Sequence, residues 1–388
     1  MAAAADLRED IYAADFTGSI RSGTIALRAA MDAVNSGSAH RVLVVAADCR
    51  IPAPGSEHEA VFGDGSAALL VGDSDIAISI EDSNSISSEF MDIWKTSKDR
   101  YLRTWEDRFI LTHGYEEKMV NAVSGLLKKH NLKPNAFSKA VFYGPDTRSH
   151  TNMIKTLGLD PKQVQEPLFN SVGNTGAAFT LMTLVSALEA AKAGDKILMA
   201  NYGDGADVFI LQVTNELAKL APRRGIKNLL PSKLIMPNYE KYLSLHHLVE
   251  GEAERRPPLR SSLTVIWRER NQIFRFHGGK CKRCGTIQMP IQRVCGNCRS
   301  KDNYEEVRLS DVKGKVFTFS KDERALSIDL PLVLTIVDFD GGGRFFCIMT
   351  DREHTKIEIG MPVEMTFRNI HDGAGFHNYY WKTRPRRC

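Results

Sequence analysis

The chain has 388 residues, with 51 lysines and arginines against 47 aspartates and glutamates, a net charge of +4. That length supports two or three domains with cores of their own, and so small a surplus does not by itself point to a polyanion partner. No apolar run approaches the roughly 20 residues of a membrane helix, and Asp6 and Glu9 interrupt the opening alanines too early for a signal peptide. Seven cysteines, four of them in two Cys-x-x-Cys pairs, fit a reducing cytoplasm better than a disulfide framework.

In chain order, residues 11–16 read as a short strand that turns at Gly18 into a helix. Ile20, Thr24, Leu27, Met31 and Val34 recur at helical spacing, and Gly37 stands where a C-terminal cap belongs. A tight strand-to-helix turn is a common seat for a nucleophile, because it lifts one side chain over exposed amides. The residue at this turn is Ile20, which cannot attack anything. Residues 41–47 read as a buried strand, parallel and central, and residues 62–71 as a glycine-rich turn running into another apolar strand. Residues 75–80 alternate as a strand. The stretch 81–112, with Trp94, Tyr101, Trp105 and Phe109, reads as a long surface excursion over a pocket. A helix follows over 115–129, a strand over 140–143 and a helix over 150–157.

Then the pattern recurs. Residues 170–178 turn into a helix ending near Gly194, 196–200 form a strand, and 202–210 repeat the glycine turn and strand. The two Gly-Asp-Gly triplets, 63–65 and 203–205, follow two turn-helix-strand units in the same relative place, which marks an internal duplication. The second copy has a helix, a strand and a helix before its turn, whereas only 17 residues precede Gly18. The first half is therefore expected to lack its leading strands, by truncation or because a partner supplies them, with truncation the favoured expectation.

The duplicated turns and Gly-Asp-Gly strands resemble the thiolase superfamily, in particular its 3-hydroxy-3-methylglutaryl-CoA synthase and ketoacyl synthase III branch. The resemblance covers residues 1 to about 215 and implies a layered αβαβα fold with its first half incomplete. In that family a Cys at the first elbow accepts an acyl group from CoA, assisted by a His and an Asn. Ala14 to Thr24 is similar to the nucleophile segment, with Ile20 where the Cys stands. Residues 141–146, Val-Phe-Tyr-Gly-Pro-Asp, resemble the His-Gln-Pro-Asn segment, with Tyr143 in place of the His. Asn174 matches the assisting Asn. Two of three chemical positions are thus lost.

Few residues nearby could substitute. Ser19 adjoins Ile20, but one residue along a helix turns the side chain by about 100°. Cys49 is the only cysteine of this domain and a weak candidate nucleophile; the competing reading is a small buried hydrophobe. His113 and His150 read as solvated loop histidines near the pocket, and Tyr143 as a packed ring with its hydroxyl satisfied.

Residues 216–265 read as a linker and a helix, the latter over 239–254 and closed by 255–258, and residues 268–276 as an extended lead-in. Cys281, Cys284, Cys295 and Cys298 then form two knuckles ten residues apart, within a small ribbon over 266–302. Four thiolates make a closed tetrahedral site, so the ion is structural: zinc, with iron as the rival. Five strand-like runs within 303–388 predict an all-β OB-type barrel, with Asp340-Gly-Gly-Gly343 as a hairpin turn. Helix, four-Cys ribbon and barrel in this order resemble the acyl-CoA-associated domain that partners thiolase-like enzymes.

Three functions follow as expectations. One is an acyl-CoA-binding scaffold that docks with catalytic thiolase-like partners. Another is an acyl-CoA acyltransferase or condensing enzyme with a non-standard site. The last is a nucleic-acid binder using Lys280, Lys282, Arg283, Arg293, Arg299 and Lys301 around the knuckles. The missing nucleophile favours the scaffold, and fusion to a thiolase-like domain favours CoA over nucleic acid. The resemblance also implies a homodimer, paired along residues 11–16, or a complex with a thiolase-like enzyme.

Overall fold

The computed structural model describes residues 1–221, 224–249, 261–373 and 376–386. The chain divides into two compact units, Ala14–Pro231 and Met1–Ala13 with Ser232–Cys388.

In the first unit, helix α1 (Ser22–Asn35) leads into β1 (Arg41–Asp48), which pairs antiparallel with β2 (Gly65–Gly72). A second sheet holds β3 (Ile78–Ser87), β4 (Lys139–Phe142), β5 (Lys196–Tyr202) and β6 (Gly205–Val213) in the order β3-β6-β5-β4. Only the β4–β5 pairing is parallel. β5 and β6 carry apolar residues without alternation because both of their faces are covered. Helix Phe179–Leu188 is apolar all round for the same reason. Its cluster joins Ala46 of β1 with Leu181 and Leu184 of the helix and Ile197, Met199 and Phe209 of the second sheet.

Several expectations are corrected. Residues 11–16, expected as a strand, carry none in the structure. β1 is neither parallel nor central: among the described residues its one partner is β2. The far face of this pair is open, with Leu43 and Leu70 directly opposite each other and 45% and 68% exposed. β3 runs on to Ser87, so the surface excursion begins later than expected.

In the second unit the lead-in to the ribbon is helical, Leu263–Arg268 and then one widened turn over Asn271–Arg275, where an extended segment was expected. Phe276 reverses the chain at φ +58° and is fully buried, with Phe345 and Trp381 at 4.8 and 5.3 Å. The helix expected over 239–254 is formed over Tyr239–Leu245, capped by Asn238; residues 250–258 lie outside the described residues. The ribbon is a three-stranded sheet in which β7 (His277–Cys281) lies between β8 (Ile287–Gln288) and β9 (Tyr304–Arg308).

The remaining strands are β10 (Gly314–Asp322), β11 (Leu332–Phe339), β12 (Arg344–Met349), β13 (Pro362–Gly373) and β14 (Phe376–Pro385). They close as β10-β11-β12-β14-β13, sealed by Gly314 opposite Val363. All five strands predicted from alternation are present. Val316, Val333, Val337, Phe345, Val363 and Trp381 point inward and build the core.

Candidate functional site

The duplication has a physical consequence at the two elbows. At the first, Ser19-Ile20-Arg21 leads into α1, and Gly203 of the second copy presses against it. A Cβ on Gly203 would lie 2.6 Å from Ile20 Cγ1 and 2.9 Å from Arg21 N. At the second elbow the partner is Gly63 of the first copy, where a Cβ would lie 1.8 Å from Val172 O. Each Gly-Asp-Gly turn thus packs on the other copy's elbow, and glycine is required for the approach. The strand ends repeat the exchange. Asn201 of β5 donates to Ile20 O at 3.3 Å and contacts Thr24 Oγ1 at 3.3 Å, while Asp48 of β1 accepts from Ala177 N at 3.0 Å.

Ile20 packs, half-buried, against the cluster that contains Tyr115, Tyr143 and Tyr202. The place where the resemblance puts a thiol is thus hydrocarbon against aromatic rings. Tyr143 is buried, and its hydroxyl accepts from Asn174 Nδ2 at 3.0 Å. That nitrogen also faces Gly144 O at 3.2 Å and Pro145 O at 2.9 Å. Asn174 Oδ1 accepts from Arg50 Nη2 at 2.5 Å and from Gly176 N at 3.0 Å. Every hydrogen-bonding position of the fully buried Asn174 amide is therefore taken inside the protein. Burial raises the Tyr143 phenol above its ordinary range, opposed by the Arg50 charge and the Asn174 hydrogen bond.

Arg50 was not visible as a site residue from the sequence. Its buried guanidinium lies 4.1 Å over the Phe62 ring, with Nε 3.7 Å from Asp48 Oδ2. Asp92 was missed as well. Burial raises its carboxyl, against a hydrogen bond from the Ile93 amide at 2.6 Å. Tyr202 itself is pushed far up by burial and by the Asp92 charge.

The other named residues do not assemble into a nucleophile–base pair. Cys49 is exposed just beyond β1, and partial desolvation with the hydrogen bond to Asp64 lifts its thiol to about 11, which leaves it protonated at neutral pH. Ser19 Oγ accepts from Arg21 N at 3.1 Å. His113 lies on the surface 3.5 Å from Glu117. His150, expected as a solvated loop residue, is a buried helix residue stacked on Phe142 at 4.2 Å, and burial lowers it to about 4. Asp146 caps its helix, accepting from Ser149 N at 2.9 Å. The rings of Phe142 and Phe169, which enclose the imidazole from elements distant in the chain, explain why the solvated reading fails.

The second site is the ribbon. The four Sγ atoms of Cys281, Cys284, Cys295 and Cys298 lie within 4.8 Å of one another, with two pairs at 3.6 Å. A tetrahedral ion with metal–sulfur bonds of about 2.3 Å requires sulfurs about 3.8 Å apart, so the cluster fits one. The two knuckles are built alike: Cys281 N donates to Thr286 O at 2.9 Å, and Cys295 N to Ser300 O at 2.9 Å. Hydrogen bonds from Thr286 pull the Cys284 thiol down to about 6, toward the thiolate a metal requires. Nearby, Arg293 is held bidentate by Asp302 at 2.7 and 2.8 Å.

Residues 127–213 match the family model of the 3-oxoacyl-[acyl-carrier-protein] synthase III C terminal. Residues 272–305 match the ChsH2 rubredoxin-like zinc ribbon domain and 306–368 the ChsH2 C-terminal OB-fold domain. The chain is 32% identical to the hydroxymethylglutaryl-CoA synthase of Methanosarcina barkeri over 238 residues, 60% of this chain and 68% of the relative. It is 30% identical to that of Methanopyrus kandleri over 57% of this chain and 63% of the relative. The matches thus span about two thirds of these relatives' length. Among solved structures, MvaS in complex with 3-hydroxy-3-methylglutaryl coenzyme A superposes with a TM-score of 0.54 at 17% identity, covering 65% of this chain and 71% of that one. The HMG synthase of the curacin biosynthetic pathway, in complex with acetyl donor-ACP, gives 0.55 at 19% identity over 78% and 76%. These likenesses show a shared thiolase-like fold.

Proposed function

The chain belongs to the hydroxymethylglutaryl-CoA synthase family of the thiolase superfamily, and from that premise we propose that it binds acyl-CoA as a non-covalent scaffold beside catalytic thiolase-type partners. The observation that carries this reading is Ile20 at the elbow, packed under Gly203, with Asn174 locked by Tyr143 and Arg50. Covalent acyl transfer needs a nucleophile activated by a base, and the elbow holds neither. The names of the relatives support acyl-CoA as the ligand class. The ribbon and barrel matches support a structural zinc and a role within an assembly, as a homodimer or with a thiolase-like enzyme.

The test is incubation of the wild type and Ile20→Cys with acetyl-CoA labelled in the acetyl group, followed by mass spectrometry of the intact chain. The expected result is acyl-CoA binding by the wild type, measured calorimetrically, with no mass added. Acylation of the wild type at Cys49 or Ser19 would sink the scaffold reading. Salt-sensitive binding of single-stranded DNA with no response to acyl-CoA would sink the ligand class as well.

A further inference from the structure

The internal duplication holds a template for what the β1–β2 pair does not have. Leu70 and Ile210 each stand five residues past the last glycine of their Gly-Asp-Gly triplet, Gly65 and Gly205. Leu43 lies opposite Leu70, and Leu198 lies opposite Ile210. Two residues nearer the turn, Val45 opposite Ala68 corresponds to Ala200 opposite Val208. The two faces thus carry nearly the same hydrocarbon: Leu, Leu, Val and Ala in one copy, Leu, Ile, Ala and Val in the other. Their surroundings differ. Leu198, Ala200, Val208 and Ile210 are at most 2% exposed and pack with Met119, Val123 and Leu126, one stripe of the helix Glu117–Lys129. Leu43 and Leu70 remain 45% and 68% exposed.

The edges differ in the same way. β6 is paired on its outer side by antiparallel β3, and β5 by parallel β4. Among the described residues β1 and β2 pair only with each other, so each keeps an unpaired row of backbone groups. Sheet edges left to water are ordinarily blunted by charges, by Pro or by a bulge. Residues 42–47 and 66–71 contain no charge and no Pro, and the pair keeps its register throughout. Both edges are therefore fit for pairing, and the face between them for an apolar helix.

We propose that this surface receives a strand–helix–strand segment of a partner chain: one strand antiparallel along β2, a helix with an apolar stripe over Leu43 and Leu70, and one strand parallel along β1. The second copy names the occupant, because residues 78–142 hold that arrangement on β5 and β6. A second copy of this chain fits less well, since its own residues 78–142 are committed to its second sheet. The surface serves this purpose whether or not acyl-CoA is the ligand. The probe is residues 75–145 made as a separate polypeptide, which can order as it docks, added to the full chain and followed by amide exchange and sedimentation. Exchange in β1 and β2 of the wild type is expected to slow about tenfold or more, in a one-to-one complex. Leu43→Asp and Leu70→Asp change side chains already exposed in the chain alone. Each is expected to keep the wild-type unfolding midpoint and to weaken the complex about tenfold or more. Leu326→Asp, at an exposed position between β10 and β11, is the control and is expected to bind as the wild type does. Unchanged exchange in β1 and β2, or Leu43→Asp and Leu70→Asp chains that bind like the wild type, would overturn the proposal. So would a dimer of the full chain alone that Leu70→Asp disperses, which would make a second copy the occupant.

Discussion

Gly203 and Ile20 touch across the internal duplication, so closely that a single methyl on Gly203 would lie 2.6 Å from Ile20 Cγ1. The contact shows that the elbow is held by the opposite copy rather than by its own helix alone. Gly203 also sits at φ +147°, where side chains are strained whatever the space. Gly203→Ala is therefore expected to cost about 3 kcal/mol, strain and overpacking together. Gly55, at φ +75° with nothing within 4 Å of the place a methyl would take, supplies the comparison. Gly55→Ala is expected to cost about 1 kcal/mol from backbone strain alone. Urea unfolding of both variants checks the difference, and equal costs would mean that the elbow contact has no energetic weight.

Asn174 predicts a second asymmetry. Asn174→Ala removes the acceptor for Arg50 Nη2 and Gly176 N and the donor to Tyr143 Oη, all of them buried. Arg50 Nη2 keeps the Asn174 backbone carbonyl at 3.0 Å, so the loss of one charge-assisted hydrogen bond together with the acceptor of a buried amide is expected to cost about 2–4 kcal/mol. Tyr143→Phe removes one of three acceptors around Asn174 Nδ2 and leaves Gly144 O and Pro145 O in place, so about 1 kcal/mol or less is expected. Equilibrium unfolding of both chains in urea measures the gap. A Tyr143→Phe chain as unstable as Asn174→Ala would show the hydroxyl, not the amide, to be the centre of the network.

What the sequence revealed follows from the range of the interactions involved. The elbow helix, both Gly-Asp-Gly turns, the cysteine knuckles and the five barrel strands are set by periodicity, glycine or spacing within a few residues, and all are where those signals put them. Arg50 is 124 residues from Asn174, and no local pattern connects them. Residues 11–16 have strand-like composition, but a strand exists only through a neighbour, and none among the described residues of this chain pairs with them. Residues 268–276 fail differently: helix or extended backbone is decided there by Phe276, which turns the chain so that its ring enters the barrel core.

His150 gives the stability of the first unit a pH dependence. Its ring is buried against Phe142 and Phe169, and burial lowers it to about 4 from an ordinary value near 6.5. The unfolded chain then binds a proton that the folded chain refuses between those values, so stability rises with pH across the window. The full contribution, about 3 kcal/mol, is present above pH 6.5 and is lost as pH falls toward 4. His150→Phe is expected to flatten the urea midpoint between pH 4.5 and 7 relative to wild type. A variant with the same slope as wild type would assign the pH dependence to other groups.

Metal removal should separate the ribbon from the barrel that follows it in the chain. The ribbon's sheet has short strands, and β8 contributes two residues, so the thiolate cluster is its main cross-link. A structural ion of this type supplies on the order of 10 kcal/mol of folding free energy to a segment too small to hold itself. The barrel core from Val316 to Trp381 also takes in Phe276 and Met289, but most of its residues lie on the barrel strands, and its closure between Gly314 and Val363 does not pass through any cysteine of the cluster. One zinc per chain is expected by elemental analysis, and none in a chain carrying Cys281→Ser with Cys298→Ser. A strong chelator is expected to abolish amide-exchange protection in β7 and β9 while β10 to β14 keep theirs. Because all four ligand positions are filled by protein, the ion should leave slowly without denaturant and faster as acid protonates the thiolates. Protection in β7 that survives complete metal loss would contradict the structural role and leave the four cysteines as packing residues.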